Sequence, residues 1–215
     1  MIDLHTHTLF SDGELLPSEL VRRAEDIGYE AVALTDHADS SNLDWIVPRI
    51  VQVCRDLNRH RSIRAVPGIE LTHLPPKMIA GMVKEARGLG AQIVVVHGET
   101  VVEPVPPGTN REAIEAGADI LAHPGLITEE EIIRAKERNV VLEITARKGH
   151  SLGNGHVARL AKKAGARLVL NTDTHTPDNL ITRDFALKVV VGAGLEAEDL
   201  GGMLENARGL LSRLW

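Results

Sequence analysis

A chain of 215 residues, 43% hydrophobic and 25% charged, is long enough for one soluble globular domain with a sizeable core. Its formal net charge of -6 argues against broad binding to nucleic acid or to an acidic membrane surface. A single cysteine, Cys54, excludes a disulfide framework within the chain and any cysteine-based zinc site.

The chain opens with the candidate strand "MIDL". Leu16, Leu20, Val21, Ala24 and Ile27 follow at helical spacing, with Pro17 near the start and Gly28 as the stop. "AVALT" (31–35) is a continuous β-rich run, as expected of a strand covered on both faces. Ile50, Val51, Cys54 and Leu57 mark a helix from Pro48, and "IRAVPGI" (63–69) reads as a strand weakened by Pro67. Residues 76–90 read as helix and "QIVVV" (92–96) as strand, followed by the irregular stretch "ETVVEPVPPG" (99–108), a candidate rim loop.

The alternation then continues. Thr109 with Glu112, and later Thr128 with Glu131, have capping-box spacing at two helix starts. "ADILA" (118–122), "VVLEIT" (140–145) and "RLVLN" (167–171) read as strands, with "GHVARLAKKAG" as the helix before the last of these. Residues 183–193 and 196–214 close the chain as helices. Leu200, Met203, Leu204, Ala207, Leu211 and Leu214 form one apolar face of the last, which reads as core packing. Seven strands alternating with helices predict parallel strands joined by right-handed crossovers in one α/β domain over 1–215. A closed or nearly closed (β/α) barrel is the first expectation and an open doubly wound sheet the second. With only 2% aromatic residues, the core must be aliphatic. No apolar run approaches the roughly 18 residues of a spanning helix, and no signal-peptide pattern opens the chain, so a cytoplasmic protein is expected. Nothing in the sequence specifies an oligomeric state.

Six of the seven strands end in a side chain able to bind a metal. "MIDL" runs into His5-Thr6-His7, with Asp12 shortly after, and "AVALT" into Asp36-His37. "AVPGI" ends in Glu70, "QIVVV" in His97 and "ADILA" in His123, while "RLVLN" leads to Asp173-Thr174-His175. In a parallel barrel these carboxyl ends share one face, where active sites are built. A lone histidine there is an ordinary polar group. Nine convergent ligand-type residues point to a site for two or three divalent ions, zinc, manganese or iron, since histidine and carboxylate without cysteine suit those metals. The seventh strand ends in Arg147-Lys148, with His150 close behind; these suit gripping an anionic substrate. His73 and His156 lie near the upper loops without clear ligand roles, and His60 reads as a solvated helix end.

"HTHTLFSDG", "TDH", "HPG" and "DTH" resemble the four motifs of the polymerase-and-histidinol-phosphatase (PHP) superfamily, with "GIE" and "VVVHGE" at the intervening ligand positions. The resemblance covers essentially the whole chain. It implies a distorted seven-stranded TIM-like barrel with a trinuclear metal centre. His5, His7, Glu70 and Asp173 would hold the first ion. Glu70, as bridge, would hold the second with His97 and His123, and Asp12, His37 and His175 the third. Asp36 would orient an imidazole ring or cap the next turn. The expected activity is hydrolysis of a small phosphomonoester, histidinol phosphate being the named candidate, by attack of a metal-bridging hydroxide. The alternatives are a nucleotide or nucleic-acid-end phosphoesterase, an amidohydrolase, and an inactive metal-binding scaffold. An extended nucleic-acid groove is disfavoured by the lack of a basic stripe and stacking aromatics. The amidohydrolase alternative is weakened by "VVVHGE" where a bridging lysine would stand.

Overall fold

The computed structural model describes residues 1–212. Among the described residues, eight parallel strands, most of them separated by one of eight α-helices, form one sheet that curls into a nearly closed barrel. The strands are β1 (Ile2–Asp3), β2 (Ala31–Leu34), β3 (His37–Ala38), β4 (Arg64–Leu71), β5 (Ile93–His97), β6 (Ile120–Ala122), β7 (Val141–Thr145) and β8 (Leu168–Asn171). The helices are α1 (Pro17–Asp26), α2 (Leu43–Leu57), α3 (Ile79–Leu89), α4 (Thr109–Glu115), α5 (Glu129–Arg138), α6 (Asn154–Ala164), α7 (Arg183–Gly192) and α8 (Asp199–Ser212). The strand order is β1-β2-β4-β5-β6-β7-β8, and β3 pairs β4 above the end of β2, with His37 opposite Glu70. The "AVALT" run is therefore one strand interrupted at Thr35-Asp36, which turns His37 toward Glu70.

The barrel closes between β8 and β1 by side chains more than by a ladder. One isolated parallel bridge joins Thr6 to Thr174. Leu4 N–H donates to Asn171 Oδ1 at 2.9 Å, and the Thr172 hydroxyl donates to Asp3 Oδ2 at 2.5 Å. This seam is where the barrel is distorted, and β1 is only two residues long because the chain beyond it turns in to present His5 and His7.

Several elements differ from the sequence expectation for local reasons. Pro67 lies inside β4, where its carbonyl accepts from Gln92 N–H; the edge of the backbone that lacks an N–H faces the start of β5, where no ladder bond is needed. Helix α2 starts at Leu43 rather than Pro48, so the proline is internal to it. The Thr128–Glu131 capping box forms, but that at Thr109–Glu112 does not. Thr109 instead donates to Pro106 O, and Glu99 Oε1 accepts from Gly108 N–H and Asn110 N–H, taking over the cap from the loop side.

The core is aliphatic, as the composition requires, and every residue of β2, β5, β6, β7 and β8 is buried. On α8, Leu200, Met203, Leu204, Ala207, Leu210 and Leu211 pack inward, while Leu214 lies outside the described residues. Among the described residues no helix is long and apolar enough to cross a membrane.

Candidate metal centre

The carboxyl ends of the strands bring the sequence-predicted ligands together. His5, His7, Glu70, His97, His123, Asp173 and His175 are buried, His37 is partly so, and Asp12 reaches in from the exposed loop after β1. His5 Nε2 lies 3.3 Å from Glu70 Oε1, and His7 Nε2 lies 3.3 Å from Asp173 Oδ1. His123 Nε2 lies 3.6 Å from Asp173 Oδ2 and 3.8 Å from Glu70 Oε1. Asp12 Oδ1 lies 3.2 Å from His175 Nε2 and 3.5 Å from His37 Nε2. Donor atoms within 4.8 Å of one another form the sets His5–His7–Glu70, His5–His123–Asp173 and His7–Asp12–His37–His175.

Four imidazoles are fixed through Nδ1, which leaves Nε2 for the centre. The partners of Nδ1 are Glu143 Oε2 for His5 at 2.7 Å, Thr72 Oγ1 and Glu70 Oε2 for His37, each at 2.7 Å, Gly98 O for His97 at 3.2 Å and Asp173 O for His175 at 2.9 Å. Holding one ring nitrogen sets the tautomer and aims the other. Asp36 does not share in this. Its carboxylate accepts from Thr8 N–H and hydroxyl at 2.7 and 2.8 Å, and from Ser11 N–H and hydroxyl at 3.1 and 2.7 Å. It pins the loop that carries Asp12 rather than a ring or the following turn.

The residues fit divalent ions. His5 Nε2, both ring nitrogens of His7, Glu70 Oε1, His123 Nδ1, Glu143 Oε1 and Asp173 Oδ1 are buried and lack hydrogen-bond partners, while Glu70 Oε2 has an ion-pair contact with His37 Nδ1 at 2.7 Å. Each such group costs about 1–3 kcal/mol when left unsatisfied, and a cluster of them in one place needs a shared counterpart. Lone pairs of imidazole and carboxylate, with no thiolate, are a donor set for zinc, manganese or iron.

The electrostatics show strong coupling among these groups. Burial pulls His5 down, yet Glu143, Glu70 and Asp173 outweigh it and hold the imidazole well above its usual range. Burial together with the neighbouring His37 pushes His7 well below its usual range, and burial together with His97 does the same to His123. Burial opposes ionisation of Glu70, but His5 and His37 keep it ionised well below the normal carboxylate range. Asp173 is pushed up to about 7, chiefly by burial.

Close packing of loops shapes the centre. A Cβ on Gly98 would lie 2.2 Å from Ala122 O, and one on Gly125 would lie 2.0 Å from Glu99 O at a backbone φ of +58°. These glycines let the "HGE" and "HPG" loops touch, which brings His97 and His123 into edge contact at 4.5 Å between ring centres.

The predicted substrate-gripping residues separate. Arg147 lies beside the centre, its Nη1 donating to Asp173 O at 3.3 Å and Asn179 Oδ1 at 3.2 Å, and Lys148 is exposed at the rim. His150 is buried within the ligand cluster, stacked on His123 at 4.2 Å. His156 Nε2–H donates to Ile127 O at 2.7 Å, a structural contact, and His60 is exposed. Two acidic residues escaped the sequence reading. Glu143 was legible, as the one charge inside the buried run "VVLEIT". Glu103, which approaches His73, His97 and His150, sits in an irregular loop and carried no signal.

The sequence model described as the PHP domain matches residues 3–181. The chain belongs to the PHP domain family. This PHP domain is 49% identical over 215 residues to an uncharacterized protein of Methanocaldococcus jannaschii, covering 99% of both. It is 29% identical over 231 residues to a probable phosphatase of Shewanella frigidimarina, covering 93% of this chain and 88% of that one. Among solved structures, it resembles a chain of archaeal ribonuclease P with mature tRNA, with a TM-score of 0.75, 16% identity, and coverage of 100% of this chain and 91% of that one. It also resembles the histidinol phosphate phosphatase of Lactococcus lactis complexed with zinc, L-histidinol and phosphate, with a TM-score of 0.62, 17% identity, and coverage of 91% and 94%. These structural likenesses speak to the fold alone.

Proposed function

We propose that this PHP domain is a metal-dependent phosphatase acting on a small phosphomonoester. The observation that carries the reading is the buried cluster of unpartnered imidazole and carboxylate atoms at the carboxyl face of the barrel. The probable phosphatases among its relatives support it. His5, His7, Glu70 and Asp173 would hold one ion, with Glu70 bridging to a second, and Asp12, His37 and His175 a third. Bound there, divalent ions activate water and neutralise charge on a transferring phosphoryl group.

The chain's own residues do the rest. Asp173 and the β8 seam position the centre, and Arg147 hangs over it with a planar fork of donors suited to phosphate oxygens. Its anchors, a carbonyl and an amide oxygen, are neutral, so its positive charge is left for an anion. Lys148 adds a second cation at the rim. Leu9, Val101, Val102, Leu126 and Leu152 are exposed on loops after the strands, so the organic part of the substrate would meet an apolar collar. Histidinol phosphate is the first candidate within this class.

The test is metal analysis of the purified protein together with a phosphoester panel containing histidinol phosphate, nucleotides and oligonucleotide ends. Two to three transition ions per chain with turnover of a small monoester supports the reading. Less than one ion per chain after supplementation refutes it, and preference for nucleotides or oligonucleotide ends replaces the substrate class.

A further inference from the structure

A second set of donor atoms meets at the mouth of the barrel. The loop between β5 and α4 carries Glu103 over the end of β5. Its Oε2 lies 3.1 Å from both His97 Nε2 and His73 Nε2, and its Oε1 lies 3.3 Å from His150 Nε2. Donor atoms of His73, His97 and Glu103 lie within 4.8 Å of one another, as do those of His97, His123 and His150. Imidazoles from the ends of three different strands or the segments just beyond them thus face one carboxylate.

These groups are held in place. His97 Nδ1 is engaged with Gly98 O, and His150 Nδ1 with Thr100 Oγ1 at 2.7 Å, so each presents Nε2 to Glu103. The loop is stiffened by Pro104, Pro106 and Pro107, and its far end is tied down by Glu99. His73 has a backbone φ of +52°. Non-glycine residues rarely adopt such a conformation, and when they do the strain clusters at functional sites. The other described non-glycine residues with positive φ are Asn139, which caps α5, and His123 and Asp173 of the buried centre. His73 therefore shares its strained geometry with two residues of the ligand cluster.

We infer that Glu103 and His150 are ligands of the ion that His97 binds, with His73 as a further donor, so that this ion ties the 99–108 loop across the mouth of the site. The inference rests on the metal-centre reading above and extends the ligand set that the family resemblance implies. Nε2 of His97 serves one ion at a time. The carboxylate oxygen 3.1 Å from it belongs to Glu103, and Glu70, whose Oε1 lies 3.8 Å from His123 Nε2, would bridge to the same ion. Charge argues the same way. A bare carboxylate at the entrance of a phosphate site would repel the substrate, and one bound to a cation does not.

The experiment is a zinc titration of the metal-free full chain against a chromophoric chelator, paired with hydrogen exchange of residues 100–105, for wild type, Glu103→Gln and His150→Gln. Each variant is expected to lose one zinc per chain or to bind it at least about tenfold more weakly, with the remaining ions unaffected. Zinc should slow exchange in the loop of wild type but not of Glu103→Gln. Because Glu103 lies at the rim, its variant decides the matter even if His150→Gln fails to fold. Wild-type stoichiometry, affinity and loop protection in Glu103→Gln overturn this inference alone. Absence of zinc binding by wild type overturns both it and the metal-centre reading.

Discussion

Replacing Glu143 by glutamine removes one charge and almost no volume from beneath the centre. Glu143 is fully buried, and its Oε2 accepts from both His5 Nδ1 at 2.7 Å and Asn171 Nδ2 at 3.0 Å. A glutamine carbonyl at that place keeps both acceptor bonds but makes them neutral. Bonds to a charged group contribute about 1.5–3 kcal/mol and neutral ones about 0.5–1.5 kcal/mol, so the two together lose about 2 kcal/mol. The new amide nitrogen occupies the position of Oε1, which has no partner. Metal affinity should therefore fall about 10–100-fold, the range seen when the carboxylate behind a ligating histidine is lost. The pH dependence carries a further sign. In the metal-free protein Glu143, with Glu70 and Asp173, holds the His5 pKa up against burial, so the wild type must expel a proton that the variant holds less tightly. The variant's deficit should be largest at alkaline pH and shrink toward pH 6. Zinc competition with a chelator across this range measures it, with circular dichroism to verify the fold. Affinity within about twofold of wild type at alkaline pH would refute the role assigned to Glu143.

Glu70→Gln should lose at least one ion and reduce kcat by orders of magnitude while the far-ultraviolet circular dichroism is kept, since Glu70 belongs to no part of the aliphatic core; kcat and metal content measured on one sample decide it. Arg147→Ala should mainly raise KM for phosphomonoesters with metal content unchanged; a neutral effect on KM and kcat returns Arg147 to a role in anchoring Asn179. Chelation should abolish activity, and zinc at about 100 times its Kd should stabilise the chain by about 2.7 kcal/mol per ion, or about 5–10 °C in Tm, read by calorimetry. Burial raises the Asp3 carboxyl from 3.8 to about 6. The folded state then binds its proton more tightly than the unfolded state, so this group's contribution falls by about 3 kcal/mol as pH rises from 4 to 6. Asp3→Asn should remove that fall in the metal-free protein, and denaturant titrations at pH 4 and 7 that show the same slope for both proteins would contradict it.

The alternation of apolar runs with helical periodicity was sufficient to read a barrel from the sequence, because strands covered on both faces leave an uninterrupted aliphatic signature. The convergence of the imidazoles and carboxylates was legible for the same reason: a polar group at the end of such a run lies at the carboxyl face of the sheet. Tertiary structure decided what lies between strands. The closure of β1 against β8 depends on Asp3, Asn171 and Thr172 side chains, which no periodicity announces. The absence of a cap from Thr109 follows from Glu99 reaching the helix first. Asp36 sits beside a histidine in sequence, yet bonds the loop after β1, because the turn that aims His37 at Glu70 sends its neighbour the other way. Glu143 stood in plain view inside a strand, but only the fold shows that His5, 138 positions away, is its partner. Glu103 joins three histidines across the mouth solely through the path of its loop. Local chemistry is written along the chain, whereas contacts between strand ends are set by the closure of the barrel, which no short stretch contains.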